Sequence, residues 1–273
     1  MTTDDTKESW NVATRNHNAH KGDQAAFFKN GGDVVFPEEI ALLGDLRGKR
    51  VVHLQCNSGQ DTLCLARRGA EVVGVDFSDV AVAFARNLST QSGIPATFEQ
   101  CEILRWMATT QMRFDIAFAS YGALPWIRDI EAWMRGAARI VSAGGALVVV
   151  EFHPVLWSVD KNLRLGGDDY FADAPFTAPV RDYVADSHDA LGGREGAAPL
   201  ENATTATSWQ HTLARTLQAA IDAGFVIEKI DEWPYANGCR VIPPLELREG
   251  RQWHWPEGAA RIPLMWGLRA RRS

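Results

Sequence analysis

A few histidines, acids and aromatics beside apolar runs are the residues of this chain best suited to handle protons or hold a ligand. His153 comes directly after the run ALVVVEF at residues 146–152. Ligands of open α/β sheets bind outside the carboxyl ends of the strands, so His153 is the leading candidate for a general base. Its bland alternative is a structural hydrogen bond to the following loop. His17 and His20 stand three residues apart in the N-terminal segment. On a helix they share one face, where they could close over a ligand or simply meet solvent. With Asp23 they would make a metal set, but no further ligand pattern supports one, so no metal is expected. His211 is expected in the first turn of a helix that starts at Trp209, bonded within the core or capping. Tyr121 could orient an acceptor through its hydroxyl.

A second group reads as a binding site. The segment His53–Asp61, HLQCNSGQD, follows an apolar run and contains Gly59. A tight turn ending in glycine lets backbone N–H groups approach a ligand. Asp76 lies 17 residues beyond that glycine, at the end of EVVGVD. An acid there can accept two hydrogen bonds from the cis hydroxyls of a ribose, each worth roughly 1.5–3 kcal/mol. Phe77 offers a flat apolar face for a purine.

The elements that must hold these residues follow from the patterning. Short apolar runs at 50–55, 71–76, 96–100, 116–120, 146–152, 225–233 and 261–272 read as strands. Helical patterns at 59–68, 79–91, 127–141 and 209–223 separate most of them. Ser78 reads as an N-cap, Gly93 and Gly224 as helix stops, and Gly144-Gly145 as the end of the helix 127–141. Strands alternating with helices predict an α/β fold, a doubly wound, seven-stranded, mostly parallel sheet. Residues 1–49 would form a helical cap, with Phe27-Phe28 on a short helix before a Gly31-Gly32 turn. Residues 153–208 would be a loop-rich insertion, of the length that usually serves as a lid. A single domain over 1–273 is expected.

The ordered motifs VVHLQCNSG, GVDFS, FEQCEI, FDIAFASYGALPW and SAGGALVVVEFHP resemble those of the class I S-adenosylmethionine-dependent methyltransferases over residues 50–152. WNVATRNHNAHKGDQAAFF and WQHTLARTLQAAIDAGF are similar to a bacterial subgroup acting on small molecules. The resemblance implies a Rossmann-like methyltransferase fold and S-adenosylmethionine as cofactor, with S-adenosylhomocysteine as product. It implies backbone contacts from Gln55, Asn57 and Gly59 to the methionine part, ribose binding by Asp76 and packing of Phe77 on adenine. Glu102 would accept from the adenine amine, Ile103 would meet the ring through its backbone, and the Ser120 carbonyl would meet the methionine amine. The chain departs from the family where His53 replaces an acid and Gln55 and Asn57 replace glycines. Asn57 tolerates positive φ and can keep the turn, whereas Gln55 is expected to be extended.

Methyl transfer from a sulfonium depends mainly on in-line positioning, and a single imidazole would suffice as a base. His153, His20 and Tyr121 are the candidate catalytic groups. Trp10, His17, Phe28, Trp126 and Trp157 are the candidate substrate contacts. Ser120-Tyr121-Gly122-Ala123 lacks the Asn/Asp-Pro-Pro-aromatic motif of the base-methylating nucleic-acid enzymes. The formal charge of −6 also argues against phosphate-driven binding, so no nucleic-acid partner is expected. The N-terminus has no signal-peptide pattern, no run is long enough for a membrane helix, and the 4 cysteines form no CxxC pair. A cytoplasmic protein with reduced thiols is expected. The 10 tryptophans gather in the variable segments, as they would around a flat or cationic acceptor. Two alternatives stay open: an S-adenosylmethionine enzyme that cyclises instead of transferring methyl, and a non-catalytic cofactor-binding module.

Overall fold

The computed structural model describes residues 3–273. Helices α1 (Thr3–His20), α2 (Gln24–Lys29) and α3 (Pro37–Leu43) precede strand β1 (Arg50–Leu54). Then come α4 (Gln60–Arg67), β2 (Glu71–Asp76), α5 (Asp79–Ser92), β3 (Thr97–Gln100), α6 (Ile103–Thr109), β4 (Phe114–Ser120), α7 (Ile130–Ile140) and β5 (Val141–Phe152). The rest holds β6 (Phe176–Ala178), α8 (Tyr183–Asp186), β7 (Ala206–Ser208), α9 (Leu213–Asp222), β8 (Phe225–Trp233), β9 (Tyr235–Asn237), β10 (Glu246–Arg248), β11 (Gln252–His254) and β12 (Met265–Arg272). The chain divides into two compact units, each made of three segments.

The larger unit comprises Asp23–Glu151, Ala214–Asp231 and Gly267–Ser273. Its strands are rich in Val and Ile, which pack well on a pleated surface. They form the seven-stranded sheet in the order β3-β2-β1-β4-β5-β12-β8. The pairs among β1 to β5 are all parallel. The order reverses between β1 and β4, which is the switch point where such sheets bind ligands. Helices cover the sheet with periodic apolar faces: α7 buries Ile130, Trp133, Met134, Ala137, Ala138 and Ile140. Ser78 caps α5 by accepting from the Ala81 N–H, and Gly93 ends it at φ 73°. Gly224 follows α9 at φ 89°, a left-handed stop of the expected kind.

Two expected boundaries move and one helix is added. The helix before β5 ends at Ile140, not at the glycine pair, and Gly144-Gly145 lie inside β5. The ladder with β4 shifts register between Phe114 and Ile116 at that point. A Cβ on Gly145 would come within 2.7 Å of the Asp115 carbonyl, so the irregular strand needs glycine there. Helix α9 begins at Leu213, four residues later than expected, so His211 precedes it instead of sitting in its first turn. Helix α6 is an addition, begun by the Glu102 carboxylate accepting from the N–H groups of Leu104 and Arg105.

The smaller unit holds the segment ending at Gly22, Phe152–Leu213 and Glu232–Trp266. Helix α1 has an unusual buried polar face of Thr6, Ser9, Asn11, Thr14, His17 and His20. These side chains satisfy the loops around them. The Thr207 N–H donates to Thr6 Oγ1 at 3.1 Å, the Val180 N–H to Ser9 Oγ at 3.2 Å, and Asn202 Nδ2 to the Ser9 carbonyl at 3.0 Å. The stretch 153–208 is thus not a bare loop: it carries α8 and the antiparallel pair β6–β7. A three-stranded sheet, β10-β11-β9, completes the unit. Trp253 and Trp255 are buried in it, their Nε1–H groups donating to the carbonyls of Gly238 and Ile262. Those two tryptophans serve the core. Among the described residues no helix is long and apolar enough to cross a membrane.

Candidate active site

The turn after β1 takes left-handed backbone at Gln55 (φ 56°), Asn57 (φ 47°) and Gly59 (φ 76°). The expectation that Gln55 is extended is therefore corrected. A non-glycine residue in this region costs of order 1–3 kcal/mol, so something must hold it there. The Gln55 side chain does so. Its Nε2 donates to the Ala123 carbonyl at 2.6 Å, and its Oε1 accepts from Trp133 Nε1 at 3.0 Å. The amide bridges the loop after β4 and helix α7, and the turn keeps a glycine-like shape without glycine. Gly59 is required twice over, since a Cβ there would lie 2.7 Å from the Phe98 ring.

Asp76 ends β2 with its carboxylate turned onto the same turn. Oδ2 accepts from the Asn57 N–H and Oδ1 from the Ser78 N–H, both at 2.9 Å. Burial pushes its pKa up to about 6, against the opposing effect of the N–H donors of Ser78, Asn57 and Phe77. A carboxylate offers about four acceptor positions, so beside these three donors one is left for a ligand. Phe77 is half-buried beside it, and its carbonyl accepts from Gln100 Nε2 at 2.9 Å. Glu102 caps α6 through both oxygens, at 2.9 and 2.8 Å, and Ile103 is the buried first residue of that helix.

His53 is buried inside the sheet unit and stacks at 5.0 Å on Phe118. A polar chain runs through it: Thr62 Oγ1 lies 2.9 Å from Nδ1, Ser120 Oγ lies 3.2 Å from Nε2, and Ser120 Oγ donates to Asp61 Oδ2 at 3.2 Å. With the Ser120 O–H directed at Asp61, His53 donates from Nε2 to the serine oxygen and accepts at Nδ1 from Thr62. Burial lowers its pKa to about 4, so the ring is neutral at physiological pH. An acid does stand near this point of the turn, but on α4 rather than at position 53.

The loop after β4 is shaped by Glu151, a buried carboxylate on β5. It accepts from the N–H groups of Gly122, of Ala123 at 2.8 Å and of Leu124 at 3.1 Å. Tyr121 is half-buried there, its ring edge-on to Phe36 at 6.2 Å, and Trp126 is half-buried in the short turn that follows. Phe28 is only 2% exposed and packs with Leu63, Val82 and Phe98 in a core cluster. It leaves no face for a substrate, which corrects its expected role.

The remaining candidates belong to the smaller unit. His153 caps the turn after β5: Nδ1 accepts from the Val155 N–H at 3.1 Å and Nε2 bonds Glu232 Oε1 at 2.9 Å. Burial lowers its pKa, with the Glu232 carboxylate acting the other way. Both ring nitrogens are engaged. His17 and His20 are buried and do not face solvent. His17 Nε2 meets the Arg181 carbonyl at 2.9 Å, and burial lowers its pKa to about 4. His20 Nε2 meets Asp182 Oδ2 at 2.6 Å, and that oxygen also accepts from the Leu200 N–H. Trp10 is half-buried on α1, and Trp157 is 37% exposed in the turn after His153. No cluster of metal-ligating side chains occurs among the described residues.

Sequence reasoning passed over Glu39, Asp61 and Glu151. A signal existed for Glu151, a lone acid in the apolar run VVVEF. Glu39, after Phe36-Pro37-Glu38, reads as an ordinary first-turn acid, and only the fold buries it.

A doubly wound, seven-stranded sheet with a left-handed turn after its first strand and an acid ending the next defines the class I methyltransferase fold. Within it, residues 51–145 match the family described as a methyltransferase domain. The chain is 30% identical over 106 residues to a ubiquinone biosynthesis O-methyltransferase of Alkalilimnicola ehrlichii, covering 39% of this chain and 42% of that protein. It is 32% identical over 108 residues to a demethylmenaquinone methyltransferase of Thermus thermophilus, covering 39% of this chain and 48% of that one. The chain thus spans less than half the length of these relatives. A solved S-adenosylmethionine-dependent methyltransferase from Mesorhizobium loti superposes with a TM-score of 0.58 at 20% identity, over 89% of this chain and 100% of that one.

Proposed function

We propose that this chain is an S-adenosylmethionine-dependent methyltransferase acting on a small organic molecule, of the bacterial small-molecule type. The observation that carries the reading is Asp76 at the end of β2, bonded to the left-handed turn at Asn57 yet keeping an acceptor position for a ligand. That acceptor suits the hydroxyls of a ribose. Phe77 beside it suits adenine, and Glu102 and Ile103 stand at the start of α6 for the far edge of the base. The backbone of Gln55, Asn57 and Gly59 with the Ser120 carbonyl would hold the methionyl part. Bound there, the cofactor supplies an electrophilic methyl group on a sulfonium.

The chain's own residues then have positioning to do. Glu151 fixes the loop that carries Tyr121, whose hydroxyl would orient the acceptor, with Trp126 near it in the sequence. In the smaller unit the buried Asp182 orients His20, as a carboxylate orients an imidazole in hydrolase triads. His153 could serve only by releasing the Val155 N–H. His17, Trp10 and Trp157 remain candidate acceptor contacts. Among the described residues no helix is long and apolar enough to span a membrane, and a cytoplasmic enzyme is proposed. The relatives that act on quinones favour an aromatic acceptor methylated at oxygen or carbon. Incubation with S-adenosylmethionine and a cell extract tests the reaction. S-adenosylhomocysteine together with a methylated product is expected; methylthioadenosine alone would mean cyclisation.

A further inference from the structure

Glu39 is a buried acid of the sheet unit with no part in the cofactor contacts proposed for Asp76, Phe77 and Glu102. It lies on α3 and is 1% exposed. Tyr121 and the Phe36 N–H donate to its carboxylate, yet Oε2 has no hydrogen-bond partner. A second acid, Asp61, is close enough for its charge to act on Glu39. Burial, and after it the Asp61 charge, push the Glu39 pKa well above the usual carboxylate range, so ionising it beside Asp61 is unfavourable without a cation. A cation would offset this. His53 is linked to Asp61 through Ser120, but it is neutral and cannot supply one.

We propose that Glu39 and Asp61, together with the Tyr121 hydroxyl, form a binding site for a primary ammonium group. An ammonium has three donors and one positive charge, which matches two carboxylates and their free acceptor. It could be the α-ammonium at the methionyl end of the cofactor or the amine of an acceptor. The first source rests on the cofactor reading above, and the second does not. Asp61 reaches the end of β4 through Ser120, and Tyr121 follows directly, so the site belongs to the ligand edge of the sheet.

Calorimetry of S-adenosylhomocysteine against its analogue lacking the α-amino group tests the first source, in the wild type and in Glu39→Gln. Asp61→Asn serves as a second variant should Glu39→Gln fail to fold. The wild type is expected to prefer the amino compound by about tenfold or more, and Glu39→Gln to lose most of that preference. A thermal shift with n-butylammonium against n-butanol tests the second source. Stabilisation of the wild type by the ammonium alone, lost in the variant, would assign the site to an amine acceptor. A folded variant with wild-type responses to both probes would overturn the proposal. A wild type that does not bind S-adenosylhomocysteine refutes the cofactor reading instead, and leaves the butylammonium comparison standing.

Discussion

The Asn57 N–H donates to Asp76 Oδ2 at 2.9 Å, which ties the turn after β1 to the end of β2. The acid proposed for the ribose is therefore also part of the scaffold. Its pKa is raised by burial from 3.8 to about 6. A carboxyl whose folded pKa exceeds its unfolded value adds stability below the unfolded pKa, and that stability is lost as pH rises through the folded one. The ligand-free protein should lose about 3 kcal/mol from this group between pH 4 and 7, at 1.36 kcal/mol per unit. Asp76→Asn should flatten that part of the curve. Chemical denaturation across the range reads both, and identical slopes in the two proteins would contradict the role.

The ligand reads the same titration with the opposite sign. Ribose hydroxyls donate to the ionised carboxylate and so favour the form without the proton. Affinity for S-adenosylhomocysteine should rise with pH up to about 6, where Asp76 titrates, and level off above. Below that point it should weaken by about tenfold per pH unit. Calorimetry at a series of pH values measures this, and an affinity flat from pH 5 to 7 would count against Asp76 as the hydroxyl acceptor.

Gln55 separates strain from bonding. Gln55→Ala keeps a left-handed non-glycine residue, removes the bond to Ala123 and leaves the buried Trp133 Nε1–H unpaired. It should destabilise by about 2–4 kcal/mol. Gln55→Gly loses the same bonds but relieves the backbone, and should be about 1 kcal/mol more stable than the alanine variant. Urea titrations of the pair give the difference. An alanine variant as stable as the glycine one would deny the strain.

Glu151→Gln tests the loop after β4. The amide can accept at one oxygen only, so the charged cap on Gly122, Ala123 and Leu124 is lost. A loss of about 2–4 kcal/mol is expected, together with faster amide exchange at residues 122–124. Unchanged exchange there would show that Glu151 does not hold the loop.

Much of the sheet was legible because its strands are short segments rich in β-branched residues with capping residues between them. EVVGVD and FVIEKIDEW match β2 and β8 residue for residue. The β5 boundary was hidden because its glycines bend a strand where they commonly end a helix. Asp76 was visible from its position alone. Gln55 was misread because its conformation is imposed from outside, by Ala123 and by Trp133 in α7, and no local pattern carries that information. Glu39 and Asp61 were missed for the same reason: what sets them apart is burial and proximity, which only tertiary structure creates. His17 and His20 were correctly placed on one face, but that face proved to be buried against Arg181 and Asp182.

The central claim is that this fold binds S-adenosylmethionine through Asp76. Calorimetry of S-adenosylmethionine with the wild type and with Asp76→Ala tests it most directly. Binding at micromolar concentration is expected of the wild type, and loss of a charge-assisted hydrogen bond worth roughly 1.5–3 kcal/mol predicts an affinity lower by at least about tenfold in the variant. A wild type that shows no binding at micromolar concentration, or a folded Asp76→Ala protein that binds as tightly, would contradict the account.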